Sequence, residues 1–246
     1  MIAFTEIQNI VHNMRSALSS SALSQQLTLA TRRLGFDYFA LAQRDPARVE
    51  LQGILLTDLP ANWLSLLAKD YFYAHDPILV ALQSSATPFV WGDMESFMDI
   101  SDRHRAYMKL AADNGIAQGI TVPIHVPGEP SALCSFSMTD SRPLPLESLP
   151  AAQYIASSGF EAARKLRDAT ALSANPVGLT DLQRNVLVQI ARGKSRQLIS
   201  RTLKVTPAEI SAALKVAQRR YRVASSTEVI VQALYDKTLS FHEIMN

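Results

Sequence analysis

A single cysteine in 246 residues, Cys134, rules out an intrachain disulfide. It lies in an apolar run, which suits a small core residue in a reducing cytoplasm rather than a nucleophile. No apolar run approaches the roughly eighteen residues of a membrane span. The opening Met1-Ile2-Ala3-Phe4-Thr5-Glu6 lacks the basic-then-apolar layout of a signal peptide. There is no HExxH, no Gly-rich phosphate loop and no Cys/His group at zinc spacing. His104, His125 and His242 stand apart and read as structural or surface residues. These absences point to a protein that is not an enzyme, with no metal, no cofactor and no membrane partner.

What is present is an uneven distribution of charge. The formal net charge of +2 hides a tail, Gly178–Asn246, with eleven Lys/Arg against five Asp/Glu, or +6. The body before it carries thirteen against seventeen, or −4. Clustered positive charge is the electrostatic footprint of a phosphate-binding module. The length allows two modest domains. Ser173-Ala174-Asn175-Pro176-Val177-Gly178 has the composition of a linker between them, dividing 1–172 from 179–246.

The first part mixes two periodicities. Ile7, Ile10, Val11, Met14 and Leu18 recur at helical spacing, and a second helix ends at Gly35. Tyr38–Gln43 and Leu51–Leu56 read as strands, and Pro60–Tyr73 as a helix with proline in its first turn. Gly119–Val126 and Ala132–Met138 are strands joined by Pro127-Gly128-Glu129-Pro130. A last helix runs from about Leu149 to Ala171. The order is helix pair, hairpin, helices, hairpin, helix. It predicts an α+β domain, an antiparallel sheet with helices on its faces in an α-β-α sandwich.

The second part predicts an all-α, four-helix domain. Thr180 and Gln183 form a capping box for a helix that buries Leu182, Val186, Leu187 and Ile190 and ends at Gly193. A short helix from Ser195 to Thr202 and a turn at Leu203-Lys204-Val205 follow. Thr206-Pro207-Ala208-Glu209 supplies N-cap, first-turn proline and capping-box acid together. The helix it opens buries Ile210, Leu214, Ala217 and Tyr221 and turns Ser211, Lys215, Arg219 and Arg222 outward. Ser225 and Glu228 box a last helix with Val229, Ile230, Ala233 and Leu234. Two short helices with a tight turn, the second amphipathic and basic outside, form a helix-turn-helix.

Leu179-Thr180, Leu187, Ala191-x-Gly193-Lys194, Ile199, Leu203-x-Val205-Thr206, Ile210 and Tyr221-x-Val223 fall in one register. That register resembles the LuxR-type helix-turn-helix. Upstream, Pro60-x-x-Trp63, Asp76-Pro77 thirteen residues beyond that Trp, and Trp91 fifteen further on resemble the autoinducer-binding domain of the same regulators. Gly115, Gly119, Pro123 and Leu133-Cys134-Ser135-Phe136-Ser137 continue the likeness, which spans nearly the whole chain. The resemblance implies a quorum-sensing transcription factor with an N-acyl-homoserine lactone between sheet and helices. It gives Asp76 the amide N–H of the ligand, Trp63 the lactone carbonyl, Ser135 the amide carbonyl and Trp91 the lactone ring. Tyr107 and Thr121 join the ligand-binding set.

The chain departs from the family at Leu59 and Leu67, where relatives carry tyrosines in the pocket. In the recognition helix Glu209 replaces the usual Thr and Ala213 the usual His. Ala208, Ser211, Ala212 and Lys215 are expected to face base edges, with Lys194, Arg196, Arg219 and Arg220 on phosphates. Glu209 is expected to act as a cap rather than to repel phosphate. The expected protein is a cytoplasmic homodimer that binds double-stranded DNA and a small-molecule autoinducer. Two alternatives stay open: an anti-activator that pairs with another LuxR-type regulator and binds DNA weakly, and a sensor of a non-lactone metabolite.

Overall fold

Ser19 accepts a hydrogen bond from the Ala22 N–H and so starts the helix Ser20–Leu34, which Gly35 closes at φ 93°. That left-handed geometry suits glycine because it lacks a Cβ. This helix follows Phe4–Arg15, and the two are α2 and α1 of the computed structural model. The structure describes residues 3–43, 53–67, 76–127, 129–173, 178–235 and 238–245. The expected elements at Leu51–Gln52, the second half of Pro60–Tyr73, Gly128 of the turn and Ala174–Val177 of the linker lie outside them.

The chain divides into two compact units, residues 1–126 with 130–170, and 127–129 with 171–246. In the first, β1 (Tyr38–Gln43) pairs antiparallel with β2 (Ile54–Thr57). Three helices follow, α3 (Ala61–Leu67), α4 (Pro77–Ser84) and α5 (Asp102–Asp113), with β3 (Phe89–Val90) and a 3-10 turn (Trp91–Ser96) between α4 and α5. β4 (Gln118–Ile124), β5 (Ala132–Met138) and the long α6 (Leu149–Ser173) complete the unit. All strand pairs are antiparallel, in the order β2-β1-β5-β4-β3. The antiparallel sheet and its two hairpins match the pattern read from the sequence, except that the strand read as Leu51–Leu56 runs Ile54–Thr57 among the described residues and β3 was not foreseen. Leu18 does not: α1 stops at Arg15 and Leu18 is 94% exposed.

Every residue of β5 is buried, so both faces of the central strand are covered. Alternate side chains point to opposite faces. Phe39, Leu41, Ile120, Val122, Cys134 and Phe136 pack with α1, α2 and α6 into one continuous core. Its rings interlock, with Phe36 and Phe136 centroids 5.7 Å apart. Burial raises the pKa of Cys134, so the residue stays an inert core thiol. The opposite face, with Leu133, packs in one cluster with Trp63 of α3, Ile78 and Leu82 of α4, Trp91 of the 3-10 turn and Tyr107 of α5.

The second unit has five described helices rather than four: α7 (Asp181–Ala191), α8 (Arg196–Leu203), α9 (Pro207–Tyr221), α10 (Ser226–Tyr235) and α11 (Phe241–Met245). The capping boxes at Thr180/Gln183 and Thr206/Glu209 form as read from the sequence. Ser225 and Glu228 bond reciprocally as well. Each such cap contributes about 1 kcal/mol. Val186, Leu187, Ile199, Ile210, Leu214, Ala217 and Val229 form the core. Tyr221 is only half-buried at its edge, while Arg222, exposed beside Lys215 and Arg219, stands one residue past the helix as its left-handed C-cap at φ 56°. The unexpected α11 is held by arginines of the α7 region. Arg184 bonds Glu243 and the Thr238 carbonyl, and Arg192 bonds the carbonyls of Glu243 and Ile244.

Candidate functional site

On the face of the sheet away from Phe136, the strands present small side chains: Ala40 and Ala42 on β1, Ser135 and Ser137 on β5. In register, Ala40 lies beside Ser135 and Ala42 beside Leu133. The helices above cannot close onto such short side chains, and a cavity of about 130 Å³ remains. Seven residues named from the sequence line it: Leu59, Trp63, Leu67, Asp76, Trp91, Tyr107 and Ser135. Thr121 is fully buried and stands behind the wall, where its Oγ1 meets Trp91 Nε1 at 2.9 Å and Ser135 Oγ at 2.8 Å.

Those three side chains form a relay. Thr121 Oγ1 accepts from the Trp91 indole and shares with Ser135 Oγ a hydrogen bond in which either hydroxyl can donate. When Thr121 is the donor, the Ser135 hydroxyl is left to offer its proton to the cavity. Gly119 makes the placement of Trp91 possible. A Cβ there would lie 3.0 Å from the indole and 2.4 Å from the Phe136 carbonyl oxygen. Only glycine lets the indole lie across β4.

Asp76 serves two elements at once. Its Oδ1 accepts from the Ile78 N–H at 2.9 Å and caps α4, while its Oδ2 accepts from the Tyr107 hydroxyl at 3.0 Å. Burial raises its pKa to about 6, against these two hydrogen bonds, which favour the charged form. A carboxylate has lone pairs beyond the two in use, so Asp76 can accept a further N–H from the cavity. Trp63 packs edge-on against Tyr107, ring centroids 5.5 Å apart, and closes the same end. Apart from the hydroxyls of Thr57 and Ser137, the rest of the described wall is apolar, with Leu55, Ile78, Leu79, Met108, Ile116 and Leu133 among its members. Sequence reading missed these, together with Ala40, Ala42 and Ser137. A parity count along β1 and β5 would have found the strand residues, because they alternate with the core residues Phe39, Leu41, Cys134 and Phe136.

In the second unit, the positions read as DNA contacts divide. Arg196, Lys215 and Arg219 are exposed, Lys194 and Ser211 half-buried. Lys215, Gln218, Arg219 and Arg222 rim a shallow depression. Ser211 donates to the Pro207 carbonyl of its own helix at 2.9 Å. Arg220 is exposed too, with one guanidinium nitrogen bonding the Gly178 carbonyl, and Arg219 Nε donates to the Lys215 carbonyl at 3.3 Å. Glu209 accepts from the Thr206 N–H at 2.7 Å and the Thr206 hydroxyl at 2.8 Å. These bonds, from the backbone N–H first, lower its pKa. Its carboxylate is held at the start of its own helix, as expected of a cap.

The family model of the autoinducer binding domain matches residues 19–163, more than half of the chain. The transcriptional activator protein BjaR1 of Bradyrhizobium diazoefficiens is 25% identical over 217 residues, covering 87% of this chain and 88% of that protein. The crystal structure of Escherichia coli SdiA superimposes with a TM-score of 0.80 at 19% identity, over 96% of this chain and 99% of SdiA. SdiA in complex with octanoyl-rac-glycerol gives 0.79 at 19% identity, over 96% and 97%. The chain belongs to the autoinducer binding domain family, among the LuxR-type quorum-sensing transcriptional regulators.

Proposed function

We propose that this protein takes an N-acyl-homoserine lactone, or a similar hydrophobic signal, into the cavity and binds double-stranded DNA as a homodimer. The observation that carries the reading is an apolar cavity with one buried carboxylate, Asp76, at its wall and a hydroxyl, Ser135, turned inward. An acyl amide needs that pairing: an acceptor for its N–H, a donor for its carbonyl, and otherwise apolar walls. Asp76 would take the amide N–H, Ser135 the amide carbonyl and Trp63 the lactone carbonyl, with Trp91 packing on the ring. Tyr107 would orient the Asp76 carboxylate, and Thr121 would do the same for Ser135 and Trp91. Residues 1–172 would form the signal-binding domain, 173–178 the linker and 179–246 the DNA-binding domain.

In that domain α8 and α9 would form the helix-turn-helix, with Lys215 and Ser211 near base edges and Lys194, Arg196 and Arg219 on phosphates. A two-fold dimer would match a palindromic site. The test has two arms. Small molecules released from protein expressed with and without acyl lactones are identified by mass spectrometry, and duplex binding is titrated against salt. Recovery of a stoichiometric lactone and a steep salt dependence are expected. Replacing Arg219 by Ala should reduce the slope of log affinity against log salt by about 0.9. Absence of duplex binding by liganded protein at low salt would transfer the reading to an anti-activator that pairs with another regulator.

Leu59 and Leu67 on the wall favour a second reading, a signal other than a lactone. Their side chains offer no hydroxyl to a polar head group. The octanoyl-rac-glycerol held by SdiA shows what such an acyl compound looks like. Its recovery from this protein, in place of a lactone, would decide for that reading.

A further inference from the structure

Among the described residues, the wall of the cavity carries four hydroxyls, and three of them have protein partners. Thr57 donates to the Phe39 carbonyl at 2.8 Å, Tyr107 bonds Asp76, and Ser135 bonds Thr121. The fourth, Ser137, is 1% exposed and lines the cavity, yet its Oγ has no hydrogen-bond partner. Its neighbour in register on β4 is Gly119, which has no side chain to meet it. Buried hydroxyls almost always find a partner, because leaving one unpaired forfeits its bond to water without return. Ser137 stands two residues beyond Ser135 on the same face of β5, roughly 7 Å along the strand.

We infer that Ser137 contacts the ligand and sets its specificity, by bonding a second, neutral oxygen on the ligand a few bonds from the group that Ser135 holds. The inference rests on the cavity being the signal site. A neutral oxygen is indicated because no Lys, Arg or His is among the described residues that line the cavity. A carboxylate or phosphate there would be buried without a counter-charge. A keto or hydroxyl group on an acyl chain meets the requirement, and a plain alkyl chain leaves Ser137 unpaired. Where relatives use tyrosine hydroxyls from the helical side, at the positions of Leu59 and Leu67, this chain would select its ligand from the sheet side.

The test uses the full chain and three matched probes: octanoyl-, 3-oxooctanoyl- and 3-hydroxyoctanoyl-homoserine lactone, titrated by calorimetry. The wild type should bind at least one oxygenated probe about tenfold more tightly than the plain one, the 1.4 kcal/mol of one neutral hydrogen bond. Ser137→Ala should erase that preference and leave affinity for the plain lactone within about twofold of wild type. Its ligand-free melting temperature should equal or exceed that of wild type, since no protein hydrogen bond is lost. Equal wild-type affinity for all three probes, or a preference that survives Ser137→Ala, overturns the inference while leaving the cavity as the signal site. Failure of the wild type to bind any of the three overturns the inference together with the reading beneath it.

Discussion

The two faces of one sheet have been built for opposite ends. On β5, Cys134 and Phe136 point into a filled core, while Ser135 and Ser137 border a void. On β1, Phe39 and Leu41 point one way and Ala40 and Ala42 the other. Consecutive residues thus belong to different layers, one holding the fold together and the other leaving it incomplete. The lesson is that stability and recognition are separated here by the pleat of a strand, not by distance along the chain.

The sharpest way to break this comparison is to empty the filled face. Phe136→Ala should cost about 3–5 kcal/mol, read by urea denaturation, because the interlocked core cannot collapse around the lost ring. A loss below 1 kcal/mol would show that the two faces are equally tolerant.

On the hollow face the expected effect falls on binding. Asp76→Asn should weaken acyl-lactone affinity tenfold or more and change ligand-free stability by no more than about 1 kcal/mol. Asn keeps an acceptor for the Ile78 N–H, so the cap survives. The wild type should show a matching pH dependence. Folded Asp76, with its pKa raised from 3.8 to about 6, binds its proton more tightly than the unfolded chain does. Its contribution to stability is therefore full below about 4 and lost as pH rises through 6. The ligand N–H needs the carboxylate, so affinity should fall as pH drops through the same range. Calorimetry at pH 5 and 7.5 should show this in the wild type and not in Asp76→Asn.

Smaller changes sharpen the contrast. Leu59→Tyr adds a hydroxyl to the wall and should tighten acyl-lactone binding by about 1 kcal/mol, measured by the same titration. Weaker binding would mark a cavity shaped for another compound. The smallest effect belongs to the second unit. Glu209→Gln should lower its melting temperature slightly with no gain in duplex affinity, because the carboxylate serves its own helix. A clear gain in affinity would make Glu209 a repulsive element.

The parts legible in the sequence were those governed by local chemistry. Gly35, Thr180/Gln183, Thr206/Glu209 and Ser225/Glu228 marked helix ends because caps act over three or four residues. The β4–β5 hairpin was legible from its turn. Leu18 misled because it continues a helical spacing past the point where the helix stops. α4 is short and almost wholly apolar, so its period carries little signal, and two-residue β3 exists only through its pairing with β4. Of the cavity, the spaced set from Leu59 to Ser135 could be named in advance. Thr121 lies behind the wall because the sheet decides which residue backs which, and no spacing shows that. Docking of α11 on Arg184 and Arg192 depends on pairs more than fifty residues apart. Those contacts also draw two of the tail's cations away from the role that its net charge suggested.

Asp76 caps a helix and, on the reading given above, holds the signal, and that double duty has an evolutionary consequence. Any substitution there is judged twice, once by α4 and once by the ligand, so the site has few neutral routes of change. Ser137 has no protein partner, and Leu59 and Leu67 contribute only apolar packing to the wall. Descendants of such a protein could exchange one signal for another by drift in those walls while the anchoring carboxylate stays in place. Signal identity would then be a quickly diverging trait mounted on a slowly changing point of attachment.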